Sequence, residues 1–155
     1  MNNKKILIFL TLLFWPYFFL FPLSADILTI GNDFELLYFS YKKYIFELVS
    51  NGIVPLWSPS EGAGFPLILN PFAQFFYPLS WTLYLFYNIF DTLTTYHFAL
   101  YTIFAISIFN FGLFFWLRKL KFDIGTCLVS TIVMTMSLKF TELLRFPNAI
   151  HAACW

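Results

Sequence analysis

Long oily runs alternate with one proline-rich interruption, and that alternation predicts most of the elements. Lys4 and Lys5 precede the apolar run Ile6 to Leu23. A run of that length approaches the ~20 apolar residues that cross a bilayer as a helix. A cleaved secretory signal is the competing reading, with Leu23, Ser24 and Ala25 at the cleavage position. The run exceeds the usual ~7–15 residues of a signal core and Leu23 is not small, so it reads as an uncleaved anchor. Pro16 and Pro22 are expected to kink it, which a membrane helix tolerates.

After a connector from Asp26 to Gly31, the stretch Asn32 to Asn51 has helical periodicity. Phe34, Leu37, Tyr38, Tyr41, Tyr44, Ile45, Leu48 and Val49 share one arc; Asp33, Ser40, Lys42, Lys43 and Glu47 occupy much of the other. Leu36, Phe39 and Phe46 interrupt the polar side, which implies cover on both faces. Asn32 and Glu35 have capping-box spacing, and Gly52 supplies a C-terminal stop. The spacing predicts an amphipathic helix over 33–51, lying along a membrane interface.

From Asn51 to Ser80 the chain changes character. Pro55, Pro59, Pro66, Pro71 and Pro78, with Gly52, Gly62 and Gly64, forbid a long helix or a central strand. Trp57, Phe65, Phe72, Phe75, Phe76 and Tyr77 give it too much apolar surface for a solvated linker. The expectation is a structured loop over 52–80, followed by an interfacial helix over 78–90. Tyr96 to Leu117 is a cleaner span, ended by Arg118, Lys119 and Lys121. Phe122 to Leu138 is a shorter one, predicted to run to about residue 140 with Lys139 snorkelling or to continue towards Phe146.

With spans at 6–23, 96–117 and 122–140, Lys4, Lys5, Arg118, Lys119 and Lys121 share one side, which the positive-inside rule makes cytoplasmic. The 26–95 module is then external and holds Asp26, Asp33, Glu35, Glu47, Glu61 and Asp91. Counting 72–90 as a further span would put the Arg118–Lys121 cluster outside. The expected fold class is therefore an all-α integral membrane protein of about three spans in the cell membrane, with an external loop module.

Composition agrees. The chain is 60% hydrophobic, 24% aromatic and 11% charged, against roughly a quarter charged in soluble domains. A net charge of +1 gives no electrostatic case for nucleic acid. The cysteines, Cys127 and Cys154, have no metal-ligand spacing.

Candidate chemistry concentrates outside the spans. Asp33 and Glu35 form a D-x-E at a helix start, read either as capping carboxylates or as a general base or metal ligands at the membrane boundary. Glu61 sits in the irregular loop, where free backbone amides help bind polar ligands. Asn70 and Gln74 flank Pro71 and can either bond hydroxyls of a sugar-like ligand or satisfy loop backbone groups. His97 reads as a structural histidine in the first turn of a span. His151, with Arg145 close in sequence, is a candidate for an anionic headgroup. Trp57 and Tyr77 read as packing or interface anchors. No phosphate loop, serine-histidine-aspartate set, HExxH or dinucleotide fingerprint occurs.

Asn32-Asp33, then Gly52-Ile53-Val54-Pro55-Leu56-Trp57-Ser58-Pro59, Gly62-Ala63-Gly64-Phe65-Pro66, Asn70-Pro71 and Phe76-Tyr77-Pro78 resemble the YfhO-like family of bacterial multi-spanning proteins, which have GT-C glycosyltransferase architecture. Leu117-Arg118-Lys119-Leu120 and the segment Pro147 to Trp155 continue the resemblance. It implies glycosyl transfer from a polyprenyl-phosphate-linked sugar to an external acceptor, with Asp33 at the position of the catalytic carboxylate. It also implies that Asp33 and Glu35 resemble a metal-binding pair for Mg or Mn. Members have about ten or more spans, so this chain corresponds to an N-terminal portion. The implied partners are the bilayer, the lipid-linked donor and a downstream-encoded remainder; the alternative is a non-catalytic subunit or remnant.

Overall fold

A computed structural model describes residues 3–59 and 62–153. Among the described residues the regular structure is helical, apart from one antiparallel bridge between Ser58 and Phe65. The elements are α1 (Asn3–Phe19), α2 (Phe21–Ser24), a π-helical turn (Phe34–Phe39), α3 (Ser40–Ser50), a 3-10 turn (Leu67–Leu69), α4 (Pro78–Phe90), α5 (Thr95–Lys119), α6 (Ile124–Thr135), α7 (Leu138–Leu143) and α8 (Pro147–Ala153).

The axis of the molecule is α5, whose 25 residues extend ~37 Å at about 1.5 Å per residue. It is the one helix among the described residues long and apolar enough to cross a membrane. The Thr94 hydroxyl caps it by accepting from the His97 N–H, and His97 Nδ1 returns the contact to Thr94. His97 is thus a capping residue. Arg118 and Lys119 lie in its last turn, where cations complement the helix dipole.

Two broken helical strings run antiparallel to α5. In the first, Phe9 meets Phe111, the Ser107 hydroxyl donates to Leu13 O, the Tyr17 hydroxyl to Leu100 O, and the Tyr96 hydroxyl to Ser24 O. The apolar run 6–23 is therefore not one helix. Pro16 sits inside α1 without ending it, and the chain breaks at Leu20, just ahead of Pro22 in the first turn of α2. A proline ring collides with the carbonyl four residues back, which fits a helix stopping before Pro22 can enter it.

In the second string Cys127 packs with Phe114, Thr135 bonds Asn110, Phe140 packs at a tilt on Phe109, and His151 reaches Tyr101. A continuous helix over 122–140 does not form. Residues 124–135 are helical for 12 residues, roughly 18 Å, and a turn at Met136–Ser137 separates them from α7. Thr131 and Thr135 hydroxyls bond the carbonyls of Cys127 and Thr131, back-bonding that bends helices. The Asn110 amide N–H donates to Leu12 O and its Oδ1 accepts from Thr135, tying both strings to α5.

The remaining elements gather at the Thr95 end of α5, away from the basic cluster. The π-helical turn is too wide for ordinary helical spacing, and this lets Phe34, Tyr38 and Phe39 all face inward: Phe34 and Phe39 pack on Phe98, Tyr38 on Phe72. The expected capping box is absent. Asn32 has φ +57°, Asp33 occupies the N-cap without a side-chain cap bond, and the Asn32 carbonyl accepts the Glu35 and Leu36 amides. At the other end Gly52 has φ +73°, its N–H bonds Val49 O and the Ile53 N–H bonds Leu48 O. That is a Schellman stop.

Candidate functional site

The Pro/Gly loop is folded, not loose. Ser58 and Phe65 exchange two backbone hydrogen bonds of 2.9 Å. Gly64 at φ +103° lies directly under Trp57, so a Cβ there would fall 2.2 Å from the indole nitrogen. Further on, Asn70 Oδ1 accepts from the Phe72 N–H at 2.9 Å, which turns the chain around Pro71. Pro78 then starts α4 at a position that needs no backbone donor. Together these steps present Asn70, Gln74 and Tyr77 on one side of the loop.

They face α8. Asn70, Gln74, Asn148 and His151 line one open cavity of about 470 Å³, walled by Phe75, Phe76 and Tyr77. This brings three of the sequence-selected residues together: Asn70, Gln74 and His151. Asp33 and Glu35 do not line it; both are exposed at the start of the π-helical turn. Glu61 lies outside the described residues.

His151 differs from its expectation. It is 1% exposed, wedged between Tyr77 and Tyr101 with ring centroids 5.0 and 4.5 Å away. Its Nδ1 lies 3.2 Å from the Tyr77 hydroxyl. The Arg145 guanidinium instead covers the Phe146 ring. Burial, and secondarily the Lys42 charge, push the imidazole down to about 3. It is therefore neutral near pH 7, and Nε2 takes whichever hydrogen-bond role Nδ1 leaves it. Among the described residues, Nε2 and Asn148 Oδ1 are buried without a hydrogen-bond partner. Buried polar atoms are normally bonded to protein or to ordered water.

Beneath the cavity lies a group that the periodicity assigned to the polar face. Lys42 is fully buried. Its Nζ donates to Gln74 Oε1 at 3.1 Å and to Ser80 Oγ at 2.8 Å, and Ser80 Oγ lies 3.3 Å from the Tyr101 hydroxyl. Both lysine partners are neutral oxygens, and no ion pair involving Lys42 occurs among the described residues. Burial lowers its ammonium from 10.5 to about 7. The amine contacts Ser80 in the first turn of α4, the positive end of that helix, which acts in the same direction. The correction has a clear origin. Lys42 falls between Val49 and Phe46 on the helical wheel, and Phe46 is itself buried against Tyr84 of α4. The covered arc is wider than the apolar letters alone draw it.

The arrangement can bind. A cavity floored by amides and a neutral imidazole, with aromatic walls, offers donors and acceptors to hydroxyl groups without a fixed charge at its surface. Lys42 does not line it and serves to hold Gln74 and Ser80 in place. For a metal, Asp33 and Glu35 are poorly disposed, because side chains two positions apart on a helical turn do not face each other. No cluster of three histidine, cysteine or acidic side chains occurs among the described residues. Comparison with known protein families, with curated proteins and with solved structures finds no match for this chain.

Proposed function

We propose that this chain is a membrane-embedded part of a glycosyl-transfer protein, and that its loop module holds the sugar. The observation that carries this reading is the cavity itself. Asn70, Gln74, Asn148 and His151 meet there, and two buried polar atoms among them lack partners. At about 470 Å³ its volume falls within the roughly 300–1,000 Å³ of small-molecule sites. Membrane embedding is supported by the outward faces: Phe14, Phe18, Phe115, Val129 and Val133 are each more than half exposed. An exposed apolar band of that kind is unusual in a water-soluble monomer. Lys5 and Arg118 share one end of α1 and α5, and the positive-inside rule supports a cytoplasmic assignment of that end with the loop module external.

In the transfer step, the acceptor hydroxyl oxygen attacks the anomeric carbon, its proton passes to the Asp33 carboxylate, and the polyprenyl phosphate leaves with the bond electrons. Asp33 takes this role on the motif resemblance; no step is routed through a metal. A second reading, a non-catalytic sugar-holding subunit, is favoured by the absence of Asp33 and Glu35 from the cavity lining.

The test is transfer of radiolabelled sugar from a polyprenyl-phosphate donor, in membranes carrying the chain alone or with any downstream-encoded partner. Asp33→Asn should abolish turnover, and Asn148→Leu should raise KM. Sugar binding that survives Asp33→Asn without any transfer in wild type would select the second reading. Neither binding nor transfer from well-inserted protein would overturn both.

A further inference from the structure

At the end of the molecule opposite the loop module, α1 and α5 diverge around a groove of about 600 Å³. Buried Leu12 and Phe114 form its floor and Phe9, Phe111, Phe115 and Ile124 its sides, with the Phe9 and Phe111 rings 5.1 Å apart. Lys5 and Arg118 stand at its mouth. The antiparallel register makes this pairing: the first turns of α1 meet the last turns of α5. Along either helix the lining runs for about two turns, ~10 Å, or a third of the ~30 Å hydrocarbon core.

The charges at the mouth are not neutralised internally. Neither Lys5 nor Arg118 has an ion-pair partner among the described residues. The nearby carboxylate, Asp123, is turned to its own helix start, where its oxygens accept from the Thr126 N–H and hydroxyl. Arg118 spends one N–H on Phe122 O and retains others, since a guanidinium carries five donors. Exposed Lys119 and Lys121 raise the positive potential around the opening. An aromatic and aliphatic slot of this depth has no use for a polar tail, and its mouth presents only cationic donors.

We propose that this groove binds one anionic phospholipid of the leaflet at the basic end. Its acyl chain lies against Phe9, Phe111, Phe115 and Ile124, and its phosphate sits between Lys5 and Arg118. The site rests on the membrane part of the reading above and is independent of sugar transfer. Basic pockets between spanning helices on the cytoplasmic side suit such headgroups, and two cations near the surface give a preference of roughly 30-fold for a net-negative headgroup over a zwitterionic one.

The experiment titrates the purified full chain in detergent with phosphatidylglycerol or phosphatidylcholine of identical acyl chains, with bound lipid counted by native mass spectrometry. One phosphatidylglycerol should be retained roughly 30-fold more tightly than phosphatidylcholine. Lys5→Gln with Arg118→Gln should bring the two lipids level. Lys119→Gln with Lys121→Gln, which removes equal charge outside the groove, should leave the preference intact. Equal binding of both lipids to wild type would overturn the site, as would equal loss in both double variants. A carbonate wash of native membranes is read separately. Release of the chain would refute the membrane reading and the lipid site with it, whereas retention without lipid preference refutes the site alone.

Discussion

Lys42→Met should make this protein more stable near neutral pH and remove most of the pH dependence of its stability above 7. In the native state burial holds the Lys42 ammonium at about 7 against an ordinary 10.5. At about 1.36 kcal/mol per pH unit, the full difference is on the order of 5 kcal/mol, of which ~4 is expressed at pH 7. Between about pH 7 and 10.5 the unfolded chain holds a proton that the native chain has released. The lysine's contribution to native stability therefore rises with pH across that window, with a slope approaching ~1.3 kcal/mol per unit, and is complete beyond it. Methionine has similar length and no charge to desolvate. Its cost is the lost donor to Gln74 Oε1 and Ser80 Oγ, roughly 1–3 kcal/mol. Ser80 retains Tyr101, and Gln74 borders an open cavity where water can replace the amine. The net expectation at pH 7 is a gain of ~1–3 kcal/mol. The assay is equilibrium unfolding of the solubilised chain at pH 6.5 to 9.5, wild type against variant. His151, held near 3 in the native state against an ordinary 6.5, adds only about 0.4 kcal/mol of rise between pH 6.5 and 7.5, as the unfolded imidazole gives up its proton, and almost nothing above that. A flat wild-type profile, or a variant less stable than wild type at pH 7, would refute the buried-amine argument.

Gly64→Ala should loosen the 52–66 loop by roughly 1–3 kcal/mol, the usual cost of a strained backbone conformation. The added methyl strikes Trp57, and φ +103° is unfavourable for any L side chain. Limited proteolysis within the loop is the readout, and unchanged cleavage rates would count against it. Asn110→Leu removes the amide that joins α5 to Leu12 and Thr135; a loss of ~1 kcal/mol is expected from the usual worth of interhelical hydrogen bonds in membranes, measured by unfolding in detergent. For topology, with native cysteines replaced, Val54→Cys should react with an impermeant thiol reagent in intact cells while Lys121→Cys is protected. The reverse pattern would invert the assignment.

Much of the local structure is legible in the letters, because it is decided by local chemistry. Pro78 and Pro147 open α4 and α8, Gly52 closes α3, and the basic residues after Leu117 mark the end of α5. Periodicity locates only part of the inward face of α3: Ile45 is buried as the apolar arc implies, but Lys42 and Phe46 are buried from the other side. The candidate cavity is legible only in pieces. Asn70, Gln74 and His151 are polar residues set among apolar ones, yet nothing along the chain says that they share a wall. That follows from α8 folding back along α5, which places His151 beside Tyr77 across 74 positions. Lys42 is misjudged for the same reason. Its partners Gln74 and Ser80 lie 32 and 38 residues away, and whether a lysine on the edge of an apolar arc is solvated depends on what covers that edge.

The sequence by itself determined an oily, all-helical chain with a basic end, the spanning length of α5 and a turn-rich aromatic loop, since composition and short-range sterics suffice for these. The tertiary structure alone decided that the outer strings break at Leu20 and Met136–Ser137, that the first turns after Asp33 widen into a π-helix, and that a lysine is buried under a polar cavity. Those outcomes come from α5 acting as a fixed template. Each flanking segment bends, widens or buries a charge so that its apolar surface meets α5, and that gain in packing outweighs local preference.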